Sequence, residues 1–401
     1  MPMDQPKTLS NKKLKVALVC DWLTIIGGAE SVLLALHEMF PDAPIYTSKY
    51  DEKGIDWFKN ATVKTGYLQL FPNCLRRFLG PLRQHYFSHL DLSGYDLVIS
   101  VTGAEAKSVY TGNKNKTEQT EHHCVHLCYC HVPTQYYWGM YDDYLKNPGF
   151  GFLNPLARLG LKILVGPLRK KDFASAQRPD QFITISTYAA EQIKKYYKRE
   201  ADIIYPPADL KKFSTGKADF STTKNNKTEK SQARSVKYYI TTSRQVNWKR
   251  LDLCVEACLK TGDDLTLIGD GPEHQKLVHL AAGADNIHFL PTMPQAELKK
   301  YFAKSDAFLF PSLEPFGLAP IEAMAAGLPV IAYGKGGALD YIKPHKNGLL
   351  FQEQNVSSLV SVLNQFKKEE FSPSVVKNTT LPFDKSVFKT KMQELINVKL
   401  H

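Results

Sequence analysis

The chain has 401 residues, 43% of them hydrophobic and 23% charged, which suits an ordinary globular protein of two or three domains. Lys plus Arg number 51 against 40 Asp plus Glu, so the net charge of +11 points to acidic partners: nucleotide diphosphates, anionic headgroups or nucleic acid. The opening MPMDQPKTLSNKKLK has no apolar core, and no run approaches the ~18 apolar residues of a membrane span. From these features neither a signal peptide nor a spanning helix is expected, and the prediction is a cytoplasmic protein whose seven cysteines are reduced thiols.

Leu14 to Cys20 is an apolar run preceded by lysines, the pattern of a buried parallel strand. It leads through Asp21 and Trp22 to Gly27 and Gly28, after which Val32, Leu33, Leu36 and Met39 repeat at helical spacing. Strand, glycine pair and helix make the first turn of a nucleotide-binding α/β domain, where glycine lets backbone approach a phosphate. The full G-x-G-x-x-G fingerprint is missing, which disfavours dinucleotides; a tight turn that needs glycine fits equally well.

Leu75 to Leu90 sets Arg76, Arg77 and Arg83 among apolar residues in a basic amphipathic pattern broken by Gly80 and Pro81. Tyr95 to Val101 reads as another buried strand. A second basic apolar segment, Phe152 to Phe173, carries Arg158, Lys162, Arg169, Lys170 and Lys171. Such segments suit either an anionic membrane surface or a solvated helix face.

Between them lies the densest Cys/His cluster: His122, His123, Cys124, His126, Cys128, Cys130 and His131. Zinc is disfavoured, because the alternation of Cys124, His126, Cys128 and Cys130 is that of a strand, whose same-face neighbours stand ~7 Å apart. The expected element is a buried strand ending at His131-Val132-Pro133. Phe182 to Ser186 is the next strand, Thr187 to Tyr197 a helix, and no G-x-S-x-G elbow supports serine chemistry.

Lys211 to Ser235 is polar and lysine-rich, marking a linker or surface loop. The expected division is 1–207, a linker or loop at 208–235, 236–382, and a C-terminal helix at 383–401. Strands and helices then alternate from Tyr238 to Phe310, which implies a parallel sheet covered on both faces, with ligands at the carboxyl ends of its strands. Three strand-end loops follow: one with Arg244 and Lys249, one at Gly269 to Pro272, and one at Glu314 to Gly317. An arginine fork and a lysine point charge suit a diphosphate, although without the other two loops on the same edge surface solvation of both would be the better reading.

The stretch PSLEPFGLAPIEAMAAGLPVIAYGKGG, Pro311 to Gly337, organises the rest. Its helix begins near Leu318, with Pro320 in the first turn and Gly327 past the end. Two carboxylates, Glu314 and Glu322, flank a helix start whose amides at Phe316, Gly317 and Leu318 favour an anion. One glutamate can hold a hexose and the other a ribose diol; taken alone, the pair fits a buried helix with two incidental glutamates better.

This stretch resembles the donor-site signature of retaining glycosyltransferases of the GT-B fold, especially glycosyltransferase family 4. DWLTIIGGAE, CYCHVPTQYYWGMYDDYL and FITISTYAAEQI look like the mannosyltransferases of bacterial surface-polysaccharide assembly within it. The resemblance implies an α/β protein of two Rossmann-like domains whose parallel sheets face an interdomain cleft, with the last helix crossing back to the N-terminal domain. It further implies a metal-independent, cofactor-free transfer from a nucleotide sugar, with GDP-mannose the expected donor and a glycan or lipid-linked glycan the acceptor. In the family pattern Arg244 and Lys249 bind the donor diphosphate and His131 lies against the transferred sugar. Gly27 and Gly28 close on the phosphate, Glu314 orients the sugar and Glu322 holds the ribose. Two rivals are a GT-B sugar-nucleotide epimerase, which needs acid and base residues in the cleft, and a non-catalytic nucleic-acid-binding protein, which needs basic and aromatic residues clustered on one surface.

Overall fold

The computed structural model describes residues 14–73, 79–112, 124–146, 148, 151–213 and 236–400. Arg76, Arg77, His122, His123 and the polar stretch 214–235 lie outside them. Two units divide the chain: residues 1–184, 192–202 and 394–401 form the first, and residues 185–191 and 203–393 the second. Each is described in turn.

Unit 1 is built on seven strands: β1 (Val16–Cys20), β2 (Ile45–Thr47), β3 (Val63–Thr65), β4 (Leu97–Thr102), β5 (Val125–Cys130), β6 (Gln181–Thr184) and β7 (Ala201–Ile203). They lie in the order β3-β2-β1-β4-β5-β6-β7, and the pairs from β3 to β6 are parallel. Every residue of β1, β4 and β5 is buried, as a sheet covered on both faces requires and as their near-continuous apolar sequences foretell. In β5 the period-two cysteines and His126 are packing residues: His126 Nε2 bonds Ser100 Oγ at 2.8 Å, and Cys128 and Cys130 sit in a core with Phe182, Ile193 and Tyr197. Among the described residues no group of three or more His, Cys, Asp or Glu gathers as a metal site would need.

The expected basic amphipathic face at 75–90 is corrected within its described part. Gly80 and Pro81 begin the helix Gly80–Ser88 instead of breaking one, consistent with proline in a first turn. Arg83 is buried, its Nε 2.9 Å from Glu105 Oε2 and its guanidinium over the Trp22 ring at 4.9 Å. A residue that pattern alone would solvate is thus half of an interior ion pair. The second basic segment is one helix, Asn154–Ser175, which contains Pro167.

Unit 2 carries β8 (Tyr238–Thr242), β9 (Asp264–Ile268), β10 (Ile287–Leu290), β11 (Ala307–Phe310), β12 (Val330–Tyr333) and β13 (Gly348–Phe351). All are parallel, in the order β10-β9-β8-β11-β12-β13. The expected strands and helices of this half are present within a few residues of their predicted ends. Within the expected linker or loop 208–235, the described residues Leu210–Phe213 form a short helix that buries Leu210 and Phe213. No helix of the described residues is long and apolar enough to cross a membrane.

Candidate active site

β8 and its neighbours β9 and β11 are central in the second sheet, so the loops leaving their carboxyl ends share one edge. Lys249 and Glu314, drawn from two of these loops, form an ion pair between Nζ and Oε1 with little exposure of either side chain. Ser312 Oγ donates to the same oxygen at 2.9 Å, and Lys249 Nζ also lies 4.4 Å from the Trp248 ring centre. Sequence spacing assigned these two residues separate tasks; in the structure they pair with each other. Glu314 Oε2 keeps its capacity to accept a hydrogen bond, and the ammonium keeps two further protons to donate. Arg244 is exposed, and no side-chain bond of its own is formed among the described residues.

The glutamate loop is held by backbone. Gly317 has φ +95°, a region open to glycine, and a Cβ there would stand 2.6 Å from the Phe310 ring. It caps the helix Leu318–Ala325, and among the described residues the amides of Phe316, Gly317 and Leu318 donate to no other backbone group. Three free N–H groups at a helix start make an anion cradle. Gly337 N donates to Glu314 O at 2.8 Å, and a Cβ on Gly337 would lie 2.2 Å from Pro315 O. Gly337→Ala therefore pushes the loop off its position; we expect a loss of about 1–3 kcal/mol in thermal unfolding together with weaker nucleotide binding.

Glu322, one turn into that helix, is desolvated, which pushes its carboxyl up to about 7 against the opposing pull of Lys212. At neutral pH it is poised between acid and carboxylate. Gln245, which the sequence reading passed over, ties the other two loops together: its amide nitrogen donates to Gly269 O at 2.8 Å and its Oε1 meets His274 Nδ1 at 2.7 Å. Nothing in its local sequence distinguishes it from a surface glutamine, yet it is fully buried.

Unit 1 has a cavity of about 310 Å³ above the ends of β1, β4 and β5, lined among others by Asp21, Trp22, Glu30, His131, Gln135 and Tyr136. Burial pushes the His131 imidazole down to about 4, so it is neutral at pH 7, and its Nε2 is buried without a hydrogen-bond partner among the described residues. A free ring nitrogen beside a cavity can serve a hydroxyl. Asp21 is committed to the scaffold, accepting from Thr102 Oγ1 and from the amides of Gly103, Ala104 and Ala106 at 2.8–3.1 Å. Gly27 and Gly28 begin the helix Gly28–Met39, and a Cβ on Gly27 would lie 2.9 Å from Glu30 Oε2. A carboxylate of the helix's own first turn therefore lies beside this helix start.

The architecture is that of the GT-B class. HepE of Anabaena, solved in complex with UDP, matches with a TM-score of 0.67 over 96% of this chain and 100% of its own, and at 18% identity the likeness is one of fold. Within unit 2 the match becomes particular: residues 223–380 fit the family described as Glycosyl transferases group 1. Sulfoquinovosyl transferase SQD2 of Arabidopsis thaliana is 33% identical over 137 residues, 32% of this chain and 27% of that protein. The GDP-mannose-dependent alpha-(1-6)-phosphatidylinositol monomannoside mannosyltransferase of Mycobacterium tuberculosis is 31% identical over 113 residues, 25% of this chain and 29% of that protein. These matches span less than a third of the relatives' own lengths.

Proposed function

We propose that the chain is a retaining glycosyltransferase that moves a hexose, with mannose of GDP-mannose the leading donor, onto a hydroxyl of a glycan or lipid-linked glycan in cell-surface polysaccharide synthesis. It would act in the cytoplasm without a resident metal or cofactor. The observation that carries this reading is the donor half-site: Lys249, Glu314, three free amides and a desolvated Glu322 on the carboxyl edge of one parallel sheet, inside the matched group 1 domain. The name of the mycobacterial relative supports a guanosine donor, whereas HepE was solved with UDP.

In the reaction the bond from the sugar's anomeric carbon to the diphosphate oxygen breaks, its electron pair leaves with the diphosphate, and the acceptor oxygen bonds to that carbon. The acceptor proton passes to the leaving phosphate. Negative charge grows on the diphosphate, where Arg244, Lys249 and the amides of Phe316, Gly317 and Leu318 stabilise it. Glu314 orients the sugar through its hydroxyls and Glu322 holds the ribose. His131 is assigned to the sugar, and Gly27 and Gly28 to the donor phosphate, on the family resemblance.

A thermal-shift screen of UDP-, GDP- and ADP-sugars tests the reading. One base should stabilise the protein, and Lys249→Met should weaken that ligand about 10–100-fold, the worth of a charge-assisted hydrogen bond. The anomeric configuration of the product, followed by NMR, tests retention. A folded protein that responds to no nucleotide sugar sinks the proposal.

A further inference from the structure

The helix Asn154–Ser175 is amphipathic with its apolar side turned outward. Leu156, Leu159 and Ile163 follow one another at spacings of three and four, on one face, and are 68%, 55% and 64% exposed. A helix packed on its own domain normally buries such a stripe. Here the buried residues are Asp172 and Ser175, so polar contacts anchor the helix while its leucines face outward.

Its charges are equally one-sided. Asp172 is the one acid in the helix, and it is consumed inside by Lys107 Nζ at 2.6 Å, Trp138 Nε1 at 2.7 Å and Tyr197 OH at 2.8 Å. Arg158 and Arg169 are tied to backbone carbonyls of neighbouring segments, which leaves Lys162, Lys170 and Lys171 exposed. Continuing at helical spacing through Pro167, the apolar stripe reaches Lys170 and Lys171. There a cavity of about 330 Å³ opens against the helix Gly80–Ser88, lined by His85, His89, Lys171 and Arg178 and by no carboxylate.

We infer that this face of unit 1 docks on an anionic lipid bilayer, the leucines entering the acyl boundary and the cationic cavity taking a lipid headgroup phosphate. Apolar residues without a partner together with unopposed lysines are what an interfacial helix needs. A second copy of the chain is a poor occupant, since the helix offers no exposed carboxylate to pair with a copy's lysines: its one acid, Asp172, is buried. The surface lies outside the donor half-site, so its test is independent of the proposed activity.

Flotation of the full chain with vesicles of phosphatidylglycerol and phosphatidylcholine, against phosphatidylcholine alone, is the experiment. Binding should require phosphatidylglycerol and fall in high salt. Leu159→Gln with Ile163→Gln, which leaves charge unchanged, should weaken it about tenfold, and so should Lys170→Glu with Lys171→Glu. Both variants should keep the wild-type unfolding temperature and nucleotide-sugar response. The inference is overturned if wild-type protein ignores phosphatidylglycerol, or if the glutamine variant binds as well as wild type. It is overturned equally if inorganic phosphate alone displaces the vesicles while the leucines prove irrelevant, or if sedimentation shows a dimer that the glutamine variant dissolves.

Discussion

Donor affinity is expected to weaken about tenfold between pH 8 and pH 6 in the wild type and to lose this dependence in Glu322→Gln, when nucleotide-sugar binding is titrated by calorimetry at each pH. The cause is desolvation, which holds the Glu322 carboxyl at about 7. A carboxylate accepts two hydrogen bonds from a ribose diol, whereas the protonated acid offers a poorer match, so binding draws on the ionised fraction and releases a proton below pH 7. The glutamine variant binds weakly at every pH, and Glu322→Ala should abolish the thermal shift. For the free protein the sign is opposite. Between the ordinary carboxylate value of 4.5 and about 7 the folded chain keeps a proton that the unfolded chain has lost. This group's contribution to stability is therefore full below 4.5, falls as pH rises through that window and is level above it. A wild-type affinity constant across the range would refute the assignment of Glu322 to the ribose.

Asp172→Ala should cost about 3–5 kcal/mol of unit 1's stability, read as a shift of the urea midpoint at unchanged slope. Its carboxylate is fully buried and accepts from Lys107, Thr134, Trp138 and Tyr197 within 2.6–2.9 Å. Burial opposes the Lys107 charge, and Asp172, together with Tyr197 and Cys130, more than offsets that, so the ammonium sits well above its ordinary range. Removing the acid strands a cation in the interior. The double variant Asp172→Ala with Lys107→Met removes both charges and should recover part of the loss; a double variant no more stable than the single one would show that packing, not charge, dominates here.

The contrast between Glu322 and Asp172 shows what the sequence could disclose. Glu322 was legible because its neighbours are local: Pro320, Gly327 and the strand Val330–Tyr333 fix the helix, and the helix fixes the carboxylate. The same holds for the alternation from β8 to β12, where each element carries its own period and punctuation. Asp172 and Lys107, by contrast, are 65 positions apart, and each alone looks like a solvated charge. Arg83 was misread for that reason, since its partner Glu105 lies 22 residues on. The Lys249 and Glu314 pair was half legible: both residues stood out as candidates, but their contact depends on two loops meeting at one sheet edge, which spacing does not encode. The cavity beside His131 is likewise a product of packing. No pattern marks Trp22 and Tyr136 as two of its walls.

The aromatic cluster beside the Glu314 loop bears on when that loop can settle. Phe316 packs with Tyr205 at 5.8 Å, Tyr341 at 5.4 Å and Phe383 at 5.7 Å between ring centres, and Tyr341 OH donates to Phe316 O at 2.9 Å. Tyr205 and Phe383 themselves meet at 4.9 Å. During synthesis the loop of Glu314 leaves the ribosome long before residue 383, and until then Phe316 lacks one of its three ring neighbours. The packing beside the Glu314 loop is therefore closed by a residue far along the chain, and a chain truncated before Phe383 should hold that loop less firmly.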